Sequence, residues 1–469
     1  MNKYQEVMNQ IKSDILSGRY KAGSKLPSIR ELADSFQCSK ATAIRAYAEL
    51  EKQHIIYSKP QSGYYMVEVP DTLGNNTYKA AAPSEAIDFS SASPDPEVLP
   101  YRDFQHCLNQ AIELYKDSLF SYSDPQGLPG ARKALCEHFK DHQIFTPIDN
   151  IFITSGSQQI LSILAAMPFP NGKTSVLVEQ PVYNGITKAL ELSGTTAIGI
   201  ERSFDGMDLE KLERIFATNS IKFFYTIPRF HNPTGGSHSL EQKKHIVRLA
   251  QKYDVYILED DYLADLDLSS KNDPMFSFDT GAHTIYAKSF SKVLLPGLRL
   301  GAAVLPKLLA NKFREYKRAA DISTSILSQG ALELYIKSGM FKAHAGRIRE
   351  FYPKRMQLLK KALDSARLET VKYKIPRTGF FANLEFPDSF DVEPLVRKLK
   401  SDNISVLNVR TLFMDSFARE NMIRLSICRA NEENIKNGIA MLSREYHELI
   451  NWSKHGISFP AEHENVFSL

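Results

Sequence analysis

Residues 287–301 read Ala287-Lys288-Ser289-Phe290-Ser291-Lys292-Val293-Leu294-Leu295-Pro296-Gly297-Leu298-Arg299-Leu300-Gly301, and in this stretch Lys292 follows a β-rich run and small hydroxylated residues. A lysine at a strand end, with its amine partly desolvated in a cleft, loses proton affinity and becomes a nucleophile for an aldehyde. Ser289, Ser291 and Arg299 supply hydroxyls and a guanidinium, which are groups that bind phosphate. The stretch therefore predicts a site for a carbonyl compound that also carries a phosphate.

Pyridoxal phosphate combines an aldehyde with a phosphate, and two upstream strands supply groups that bind its ring. Ile257-Leu258-Glu259-Asp260-Asp261-Tyr262 is an apolar strand that runs into acids, at the edge where α/β sheets bind ligands. An aspartate there keeps the pyridine nitrogen protonated, which makes the ring an electron sink. A second apolar strand, 223–227, leads to Asn232, whose amide can donate to the phenolate oxygen of the ring. Both strands therefore predict contacts with the pyridine ring.

Two further stretches predict contacts with the same cofactor. Phe152-Ile153-Thr154-Ser155-Gly156-Ser157-Gln158-Gln159 is a strand, a glycine turn and a helix start, a geometry that offers free backbone N–H groups to a phosphate. Glu179-Gln180-Pro181-Val182-Tyr183 places an aromatic ring just after a strand, where it can stack on a flat heterocycle.

These five stretches, in this order and spacing, resemble the fold-type I aminotransferases across roughly residues 86–455. The resemblance implies an α/β fold with a large mixed-sheet domain and a smaller α+β domain, with Lys292 as the lysine that forms the Schiff base with pyridoxal phosphate. The other cofactor-binding residues implied are Ser157, Gln158, Tyr183, Asn232, Asp260, Tyr262, Ser289, Ser291, Arg299 and Tyr122.

Roles follow from the same resemblance. Asp260 corresponds to the partner of the pyridine nitrogen, and Arg424, in Met422-Ile423-Arg424-Leu425-Ser426, to the arginine that grips a substrate carboxylate. Asn232 and Tyr262 correspond to the partners of the phenolate oxygen. The phosphate cup comprises Ser157, Gln158, Ser289 and Arg299, while Tyr183 stacks on the ring and Tyr122 reaches the cofactor of a neighbouring subunit.

Three neighbouring residues offer alternative assignments. Lys288 could take the aldehyde in place of Lys292, although the spacing from Ser-Phe-Ser-Lys to the following arginine favours Lys292. Arg429 could bind the carboxylate in place of Arg424. His231 is either an acid–base group or a histidine that lines the cleft edge, and we favour the second interpretation.

Length and composition restrict the class of protein. A chain of 469 residues predicts two or three domains, and no apolar run is long enough to span a membrane. The first residues lack the apolar core of a signal peptide, so we expect a cytoplasmic protein. The four cysteines show no paired spacing, so the sequence predicts neither a disulfide framework nor a metal site. They are Cys38, Cys107, Cys136 and Cys428.

Most of the small positive excess lies at the amino end, where residues 1–70 carry 10 Lys and Arg against 7 Asp and Glu. A surplus of that size does not by itself predict nucleic-acid binding, so the pattern must decide. Apolar residues recur at helical spacing over 4–17, and Gly18 closes that helix. Ser28 or Pro27 starts a second short helix, with Glu31 placed for a capping box.

A third helix, Lys40 to Gln53, follows the turn at 36–38 and is capped by Ser39. We expect it to bury Ile44, Tyr47 and Leu50 and to expose Lys40, Thr42 and Arg45. Residues 55–57 and 64–67 predict a two-stranded wing around the turn at Gly63. Two helices joined by a tight turn, with basic and hydroxyl residues at the start of the second, are typical of a helix-turn-helix that reads the major groove. The alternative is a small helical protein-interaction domain.

The words Leu-Pro-Ser-Ile-Arg-Glu-Leu-Ala, Ser-Lys-Ala-Thr-Ala and Ala-Tyr-Ala-Glu-Leu resemble the GntR-type winged helix-turn-helix over residues 4–69. The wing sequence Lys59-Pro60-Gln61-Ser62-Gly63 departs from the usual Arg-x-Gly-Ser-Gly of that family. The resemblance implies DNA contacts by Ser28, Arg30, Ser39, Lys40, Thr42, Arg45 and Gly63.

The chain thus divides into a DNA-binding domain at 1–70, a flexible linker at 71–86 and an aminotransferase-like domain at 87–469 that binds cofactor and effector and forms the dimer. The linker prediction rests on small, polar, aperiodic residues. Strands and helices alternate from about 130 to 310, which is typical of an α/β sheet.

The two halves together resemble the MocR subfamily of GntR-type transcription regulators. That resemblance implies a homodimer, head-to-tail, on operator DNA with paired half-sites. It also implies an amine, amino acid or pyridoxal phosphate itself as the signal, acting by Schiff-base exchange at Lys292. The alternative is a working aminotransferase with a vestigial or autoregulatory DNA-binding domain. Leu263-Ala264-Asp265-Leu266 departs from the Asp-Ser-Glu-Phe that usually follows in aminotransferases, which argues mildly against that alternative.

Overall fold

A computed structural model describes residues 3–16, 19–20, 24–52, 55–59, 62–66, 86–269 and 272–454. The chain divides into two compact units, Met1–Ser84 and Glu85–Leu469, which are described separately. The predicted linker, 71–86, lies outside the described residues except for its last residue, so its boundaries stay a prediction.

The first unit is a three-helix cluster followed by a hairpin. Its helices are α1 (Lys3–Leu16), α2 (Ile29–Ser35) and α3 (Lys40–Lys52), and its strands are β1 (Ile56–Lys59) and β2 (Gly63–Met66). The predicted capping box is present, because Ser28 N–H donates to Glu31 Oε2 at 2.7 Å and Glu31 N–H donates to Ser28 Oγ at 3.3 Å. The strands pair antiparallel from Ile56 opposite Met66 to Lys59 opposite Gly63. The wing prediction is thereby confirmed.

One prediction about α3 is wrong. Ile44 is 46% exposed rather than buried, whereas Tyr47 and Leu50 are buried as expected. The buried stripe of α3 runs through Ala43 and Ala46 as well. Successive residues turn by about 100° around a helix, which places Ile44 about a quarter turn from the centre of that stripe. The predicted ends of the first and third helices, Gly18 and Gln53, lie outside the described residues.

The second unit contains a seven-stranded mixed sheet in the order β4-β10-β9-β8-β7-β5-β6. Only β10 runs antiparallel to its neighbours. All residues of β4, β7, β8, β9 and β10 are buried, as expected for strands that helices cover on both faces. The strands are β4 (Ile151–Thr154), β5 (Ser175–Gln180), β6 (Ala197–Glu201), β7 (Ile221–Thr226), β8 (Tyr256–Asp260), β9 (Thr284–Ser289) and β10 (Gly301–Val304).

Helices before and between these strands pack on the sheet, and later helices lead into the smaller part of the unit. The first group comprises α4 (Tyr101–Tyr115), α5 (Pro129–Lys140), α6 (Ser157–Ala166), α7 (Asn184–Leu192), α8 (Leu209–Thr218) and α9 (Leu240–Lys252). The second group comprises α10 (Lys307–Asp321), α11 (Ile326–Lys337), α12 (Met340–Ser365), α13 (Glu393–Ser401) and α14 (Glu432–Lys454).

The smaller α+β part has its own antiparallel sheet, in the order β11-β12-β15-β14. A separate parallel pair joins β13 to β3, near the start of the unit. The predicted combination of a large mixed sheet with a smaller α+β part is confirmed. The strands are β3 (Ile87–Asp88), β11 (Lys372–Lys374), β12 (Phe381–Glu385), β13 (Ile404–Ser405), β14 (Leu407–Asn408) and β15 (Met422–Ser426).

The predicted site residues follow the carboxyl ends of the parallel strands. Asp260 ends β8, Asn232 follows β7, Tyr183 follows β5, and Lys292 lies three residues after β9. Carboxyl ends of parallel strands meet at one edge of a sheet, which is where such folds bind ligands. Within the described part of the chain, no helix is both long enough and apolar enough to cross a membrane.

Candidate cofactor site and nucleic-acid interface

Lys292 has the environment of a nucleophilic amine. Its side chain is half-buried in the turn between β9 and β10. Burial is the main cause that lowers the pKa of Lys292, and the guanidinium groups of Arg424 and Arg299 lower it further. The carboxylate of Asp260 opposes this shift. An ammonium whose pKa is depressed in this way gives up its proton more readily, and the resulting free amine can attack a carbonyl carbon.

Lys288, the alternative nucleophile, is bound elsewhere. Its ammonium is fully buried and forms an ion pair with the carboxylate of Asp265. No carboxylate in the described ranges lies within ion-pair distance of Lys292. Asp265 belongs to Leu263-Ala264-Asp265-Leu266, the segment that departs from the usual aminotransferase sequence. Residues 264–266 of this segment form a short 3₁₀ turn after β8. The geometry therefore favours Lys292 as the residue with an available amine.

Asp260 offers a carboxylate oxygen without a partner to a cationic ring. Its Oδ2 accepts a hydrogen bond of 2.8 Å from the hydroxyl of Tyr225, whereas Oδ1 is buried and has no partner among the described residues. Burial raises the pKa of Asp260 to about 6, against the opposing hydrogen bond from Tyr225. A buried acceptor without a donor is costly, and a protonated pyridine nitrogen would supply that donor. Asp260 therefore fits the ring nitrogen of pyridoxal phosphate.

The amino end of α6 forms an anion cradle. Gly156 precedes the helix at φ +78°, and no side chain caps that end. A Cβ on Gly156 would lie 2.7 Å from the Arg299 guanidinium, and a Cβ on Gly301 would lie 2.9 Å from the Ser157 N–H nitrogen. Arg299 Nη1 also donates to Ser291 Oγ at 3.4 Å. The close packing therefore leaves helix N–H groups beside an exposed guanidinium, and this arrangement fits a phosphate.

The other members of the predicted cup contact one another. Tyr183 donates from its hydroxyl to Gln158 Oε1 at 3.2 Å, and Gln158 Nε2 donates to the carbonyl of Gly185 at 2.9 Å. The Ser289 hydroxyl accepts the Ser291 N–H at 3.3 Å. These contacts hold the aromatic ring of Tyr183 beside the cradle. The structure thus brings Ser157, Gln158, Tyr183, Ser289, Ser291 and Arg299 to one edge of the sheet.

Arg424 links the small sheet to the large one. It lies on β15, and its Nη1 donates to Asn232 Oδ1 at 2.8 Å, while Nη2 donates to the carbonyl of Ser90 at 2.5 Å. The guanidinium carbon lies 4.1 Å from the ring centroid of Phe381. Burial lowers the pKa of Arg424 to about 10, so it stays cationic at neutral pH. Its hydrogen-bond partners are neutral, which leaves this buried cation suited to an incoming carboxylate.

Tyr262 is buried at the site and binds a backbone carbonyl. Its hydroxyl donates to the backbone carbonyl of Phe230 at 2.6 Å. Burial holds the pKa of Tyr262 well above its ordinary value. The side chain lies beside Asp260 and Arg424, within the same cluster of charges. Its role toward a phenolate oxygen therefore stays a prediction.

Two further predicted or alternative residues point to the outside of the chain. Arg429 is exposed, unlike the buried Arg424, which removes the geometric basis for the alternative carboxylate partner. Tyr122 is 87% exposed and makes no part of the site within one chain. An exposed aromatic ring on a loop is compatible with a contact to a second subunit, and that contact stays a prediction.

His231 does not line the cleft, and neither interpretation made from the sequence holds. Its side chain is fully buried, with Nε2 3.2 Å from Glu179 Oε2. Arg202 Nη1 also donates to Glu179, at 2.8 Å, and His238 Nε2 lies 3.2 Å from it. Burial lowers the pKa of His231. Glu179 further accepts the N–H of Ile227 at 3.0 Å, so this cluster fixes the ends of β5 and β7 behind the site.

Three contacts of the site were not foreseen from the sequence. Tyr225 supports Asp260, Ser90 accepts from Arg424, and Cys428 lies within electrostatic reach of both Lys292 and Arg424. Burial raises the pKa of the Cys428 thiol to about 12, so the thiol stays protonated. Of these contacts, only that of Tyr225 had a signal in the sequence, because its polar hydroxyl lies within the apolar run 223–227.

The first unit presents the predicted DNA-binding side chains on its surface. Ser28, Arg30, Ser39, Lys40 and Arg45 are exposed. The remaining two, Thr42 and Gly63, are partly exposed. The Ser39 hydroxyl accepts the Thr42 N–H at 3.1 Å and so caps α3. The Arg45 guanidinium carbon lies 4.2 Å from the ring centroid of Tyr4, so α1 orients this side chain.

The fold and the two surfaces define a class of protein in which a helix-turn-helix unit is joined to an aminotransferase-like unit. Comparison with known families agrees with that division. Residues 84–442 match the family described as Aminotransferase class I and II, and residues 3–66 match the bacterial regulatory proteins of the gntR family. The chain therefore belongs to the aminotransferase class I and II family and carries a gntR-family region at its amino end.

The proteins similar to this chain include named transcription regulators. The chain is 43% identical over 448 residues to the uncharacterized HTH-type transcriptional regulator YcxD of Bacillus subtilis, covering 94% of this chain and 99% of that protein. It is 25% identical over 378 residues to the probable rhizopine catabolism regulatory protein MocR of Rhizobium meliloti, covering 76% of each chain. The predicted membership of the MocR subfamily is thereby confirmed.

Solved structures share the fold of the second unit. The crystal structure of LysN, an alpha-aminoadipate aminotransferase from Thermus thermophilus, is 28% identical with a TM-score of 0.72. The match covers 78% of this chain and 93% of that one, and that enzyme was crystallised with N-(5'-phosphopyridoxyl)-L-leucine.

Proposed function

We propose that this protein is a DNA-binding transcription regulator that binds pyridoxal phosphate at Lys292 and responds to an amine or amino acid. The observation that carries the proposal is the chemistry of three side chains at one edge of the large sheet. Lys292 has an amine of depressed pKa, Asp260 Oδ1 has no partner among the described residues, and Arg424 is a buried cation with neutral partners. The compound bound to LysN contains both a phosphopyridoxyl group and an amino acid. Ligands of these two classes would supply partners for Lys292, Asp260 and Arg424.

Each residue has a separate task in this proposal. Asp260 stabilises the protonated ring nitrogen, the α6 end with Arg299 binds the phosphate, and Tyr183 covers the ring. When bound, the cofactor supplies an aldehyde that can exchange the Lys292 amine for the amine of an effector. Lys292, once released, is a base of depressed pKa inside the cleft.

A coupling to the small sheet follows from the contacts of Arg424. In this structure Arg424 Nη1 is bound to Asn232, which follows β7 of the large sheet. An effector carboxylate would compete with Asn232 for the guanidinium, because a charged acceptor binds it more strongly than an amide oxygen does. Exchange of that partner alters the link between β15 and the large sheet. Effector binding would thereby shift the population of small-sheet positions.

The first unit supplies the output of the regulator. Its exposed Lys40 and Arg45 and its partly exposed Thr42 lie on the first two turns of α3, where a recognition helix contacts base edges. We propose a head-to-tail homodimer that binds operator DNA with paired half-sites, with Tyr122 reaching the partner's cofactor. The exposure of Tyr122 supports this arrangement. Localisation in the cytoplasm is part of the same proposal, since operator DNA lies there in bacteria.

A second candidate function is amino-group transfer with turnover. Three residues favour this function. Lys292 can act as the base, Asp260 as the partner of the ring nitrogen that makes the ring an electron sink, and Arg424 as the anchor of the substrate carboxylate. In this function a 2-oxo acid would be the second substrate: it would accept the amino group and complete the catalytic cycle.

One experiment separates the two functions. The full-length protein, loaded with pyridoxal phosphate, is mixed with a panel of amino acids, and both spectral change and product formation with 2-oxo acids are recorded. A regulator changes its spectrum and its affinity for DNA from the region beside its own gene, without sustained turnover. Sustained turnover with no amino-acid effect on DNA affinity would overturn the proposal in favour of an enzyme. Absence of any spectral change would overturn both.

A further inference from the structure

A cluster of three potential metal ligands lies outside the cofactor site. His138 is on α5, His142 follows the end of that helix, and Asp265 lies in the turn after β8. His142 Nε2 is 3.1 Å from Asp265 Oδ1, and His138 Nε2 is 3.6 Å from the same oxygen. The three ligand atoms all lie within 4.8 Å of one another. The side chains are 8%, 7% and 1% exposed respectively, so the cluster is internal.

The two distances to Asp265 Oδ1 match the edges of a small coordination polyhedron. Zinc binds imidazole nitrogen and carboxylate oxygen at about 2.0–2.2 Å, which places neighbouring ligand atoms of a tetrahedron about 3.4 Å apart. The two measured distances to Asp265 Oδ1 lie on either side of that value. The imidazole planes of His138 and His142 meet at 75°, with ring centroids 5.0 Å apart. Two nitrogens and one oxygen can therefore face one ion, and a fourth position is left for water.

The contacts of His138 point to a ligand rather than to a hydrogen-bond network. Within the described part of the chain, its Nε2 has no hydrogen-bond partner, although the side chain is more than nine-tenths buried. A neutral imidazole presents a lone pair, and a buried polar atom without a partner is costly.

The carboxylate of Asp265 is also oriented for metal binding. Lys288 donates to Oδ2, so Oδ1 remains directed at the two imidazoles. Arg349 Nε donates to the backbone carbonyl of Asp265 at 2.8 Å. Metal-binding carboxylates are oriented by outer hydrogen bonds of this kind.

We propose that His138, His142 and Asp265 bind one divalent transition-metal ion, with Zn²⁺ or Co²⁺ the best matched. Two imidazoles and one carboxylate favour such ions over Mg²⁺ or Ca²⁺, which prefer oxygen ligands alone. This site was not expected from the sequence, because His142 and Asp265 lie far apart along the chain. The ion connects α5 to the turn after β8, and through Lys288 to β9, which leads to Lys292.

The test uses untagged full-length protein with zinc and cobalt salts as probes. Equilibrium dialysis against Zn²⁺ should give about one ion per chain, and Co²⁺ should give visible d–d absorption. His142→Ala should weaken zinc binding by at least the 10- to 100-fold that loss of an outer-shell partner costs, about 1.4–2.7 kcal/mol. The matched control is His106→Ala, which removes an exposed histidine on α4 and should leave zinc binding unchanged. Equal zinc affinity in His142→Ala and wild type would overturn the proposal.

A second measurement on the wild-type protein decides the case if the variant does not fold. X-ray absorption of the zinc-loaded protein should show two imidazole ligands and otherwise oxygen ligands. Sulfur ligands, or no imidazole ligand, would overturn the assignment, and so would failure of the wild type to bind zinc. These outcomes do not depend on the cofactor site, since neither imidazole belongs to it.

Discussion

Replacement of Asp260 by asparagine tests the cofactor site through the stability of the cofactor-free protein. Asp260 is buried, and burial raises its pKa from the ordinary value of 3.8 to about 6. The substitution Asp260→Asn keeps the shape and the acceptor toward Tyr225, but it removes the charge. We therefore expect the variant to be more stable than wild type without cofactor and to bind pyridoxal phosphate more weakly.

The magnitude follows from the shift in pKa. About two pKa units correspond to roughly 3 kcal/mol of differential stability at pH 7.5. Because the folded-state pKa of Asp260 is raised, the unfolded chain ionises at lower pH. Wild type thus loses stability relative to the variant as pH rises from 3.8 through about 6, and the full difference is present above that range. At pH 4.5 the difference should be only about 1 kcal/mol.

The assay is urea unfolding of both proteins at pH 4.5 and pH 7.5, at one protein concentration and without cofactor. Addition of pyridoxal phosphate at pH 7.5 should reverse the order, since the ring nitrogen supplies the missing partner of wild-type Asp260 and stabilises through binding. An Asp260→Asn variant that is less stable than wild type at pH 7.5 would refute the reasoning. A stability difference that does not change with pH would refute it as well.

The neighbouring aspartate provides the matched control, because its environment has the opposite effect. Asp261 receives two hydrogen bonds from Arg229, and although burial alone would raise the pKa of Asp261, Arg229 holds that pKa below its ordinary value. Asp261→Asn should therefore destabilise the protein, by about 3–5 kcal/mol, because it breaks a buried ion pair. The contrast between adjacent carboxylates excludes a general effect of removing negative charge from the end of β8.

Further predictions concern the anchor, the lysine, the DNA surface and the modular organisation. Arg424→Lys should weaken the response to amino acids by roughly 10- to 100-fold in spectral titrations, because a bidentate contact is lost, and should spare amines that lack a carboxylate; equal weakening of both classes would contradict the role of Arg424. Lys292→Ala should abolish the visible absorption band and the effector response but leave effector-free DNA binding intact; a remaining band would contradict the assignment. Arg45→Ala should weaken operator binding by about 1–3 kcal/mol in gel shifts if it contacts a base edge, or reduce the salt dependence by about one charge if it contacts phosphate; unchanged affinity at physiological salt would argue against either contact. The fragment 1–70 should show helical circular dichroism and bind a full operator far more weakly than the whole chain, since we expect dimerisation through the second unit; equal affinity at equal concentration would contradict this.

Local signals predicted the fold to a large extent. Apolar runs that end in Asp260, Asn232 and Tyr183 predicted strands whose carboxyl ends meet, because burial on both faces produces continuous hydrophobic strands. The capping box of α2 and the two strands of the wing were also predictable, since both depend on residues close in sequence. Helical periodicity was less reliable for Ile44, which lies at the margin of the buried stripe of α3.

Contacts between distant segments could not be predicted in the same way. Nothing next to Lys288 in the sequence shows that its ammonium pairs with Asp265. Likewise, nothing next to His231 shows that its imidazole contacts Glu179. These pairings depend on which loops the sheet order brings together. Asp265 lies in a segment whose sequence departs from the aminotransferase pattern, so family resemblance gave no guide to its contacts.

Borohydride reduction followed by peptide mapping shows whether pyridoxal phosphate binds covalently to Lys292. The purified full-length protein is incubated with pyridoxal phosphate, reduced, digested and analysed by mass spectrometry. We expect one phosphopyridoxyl group per chain on Lys292, whose amine has a depressed pKa and no carboxylate partner among the described residues. A modified Lys288, or no modified lysine, would contradict this assignment.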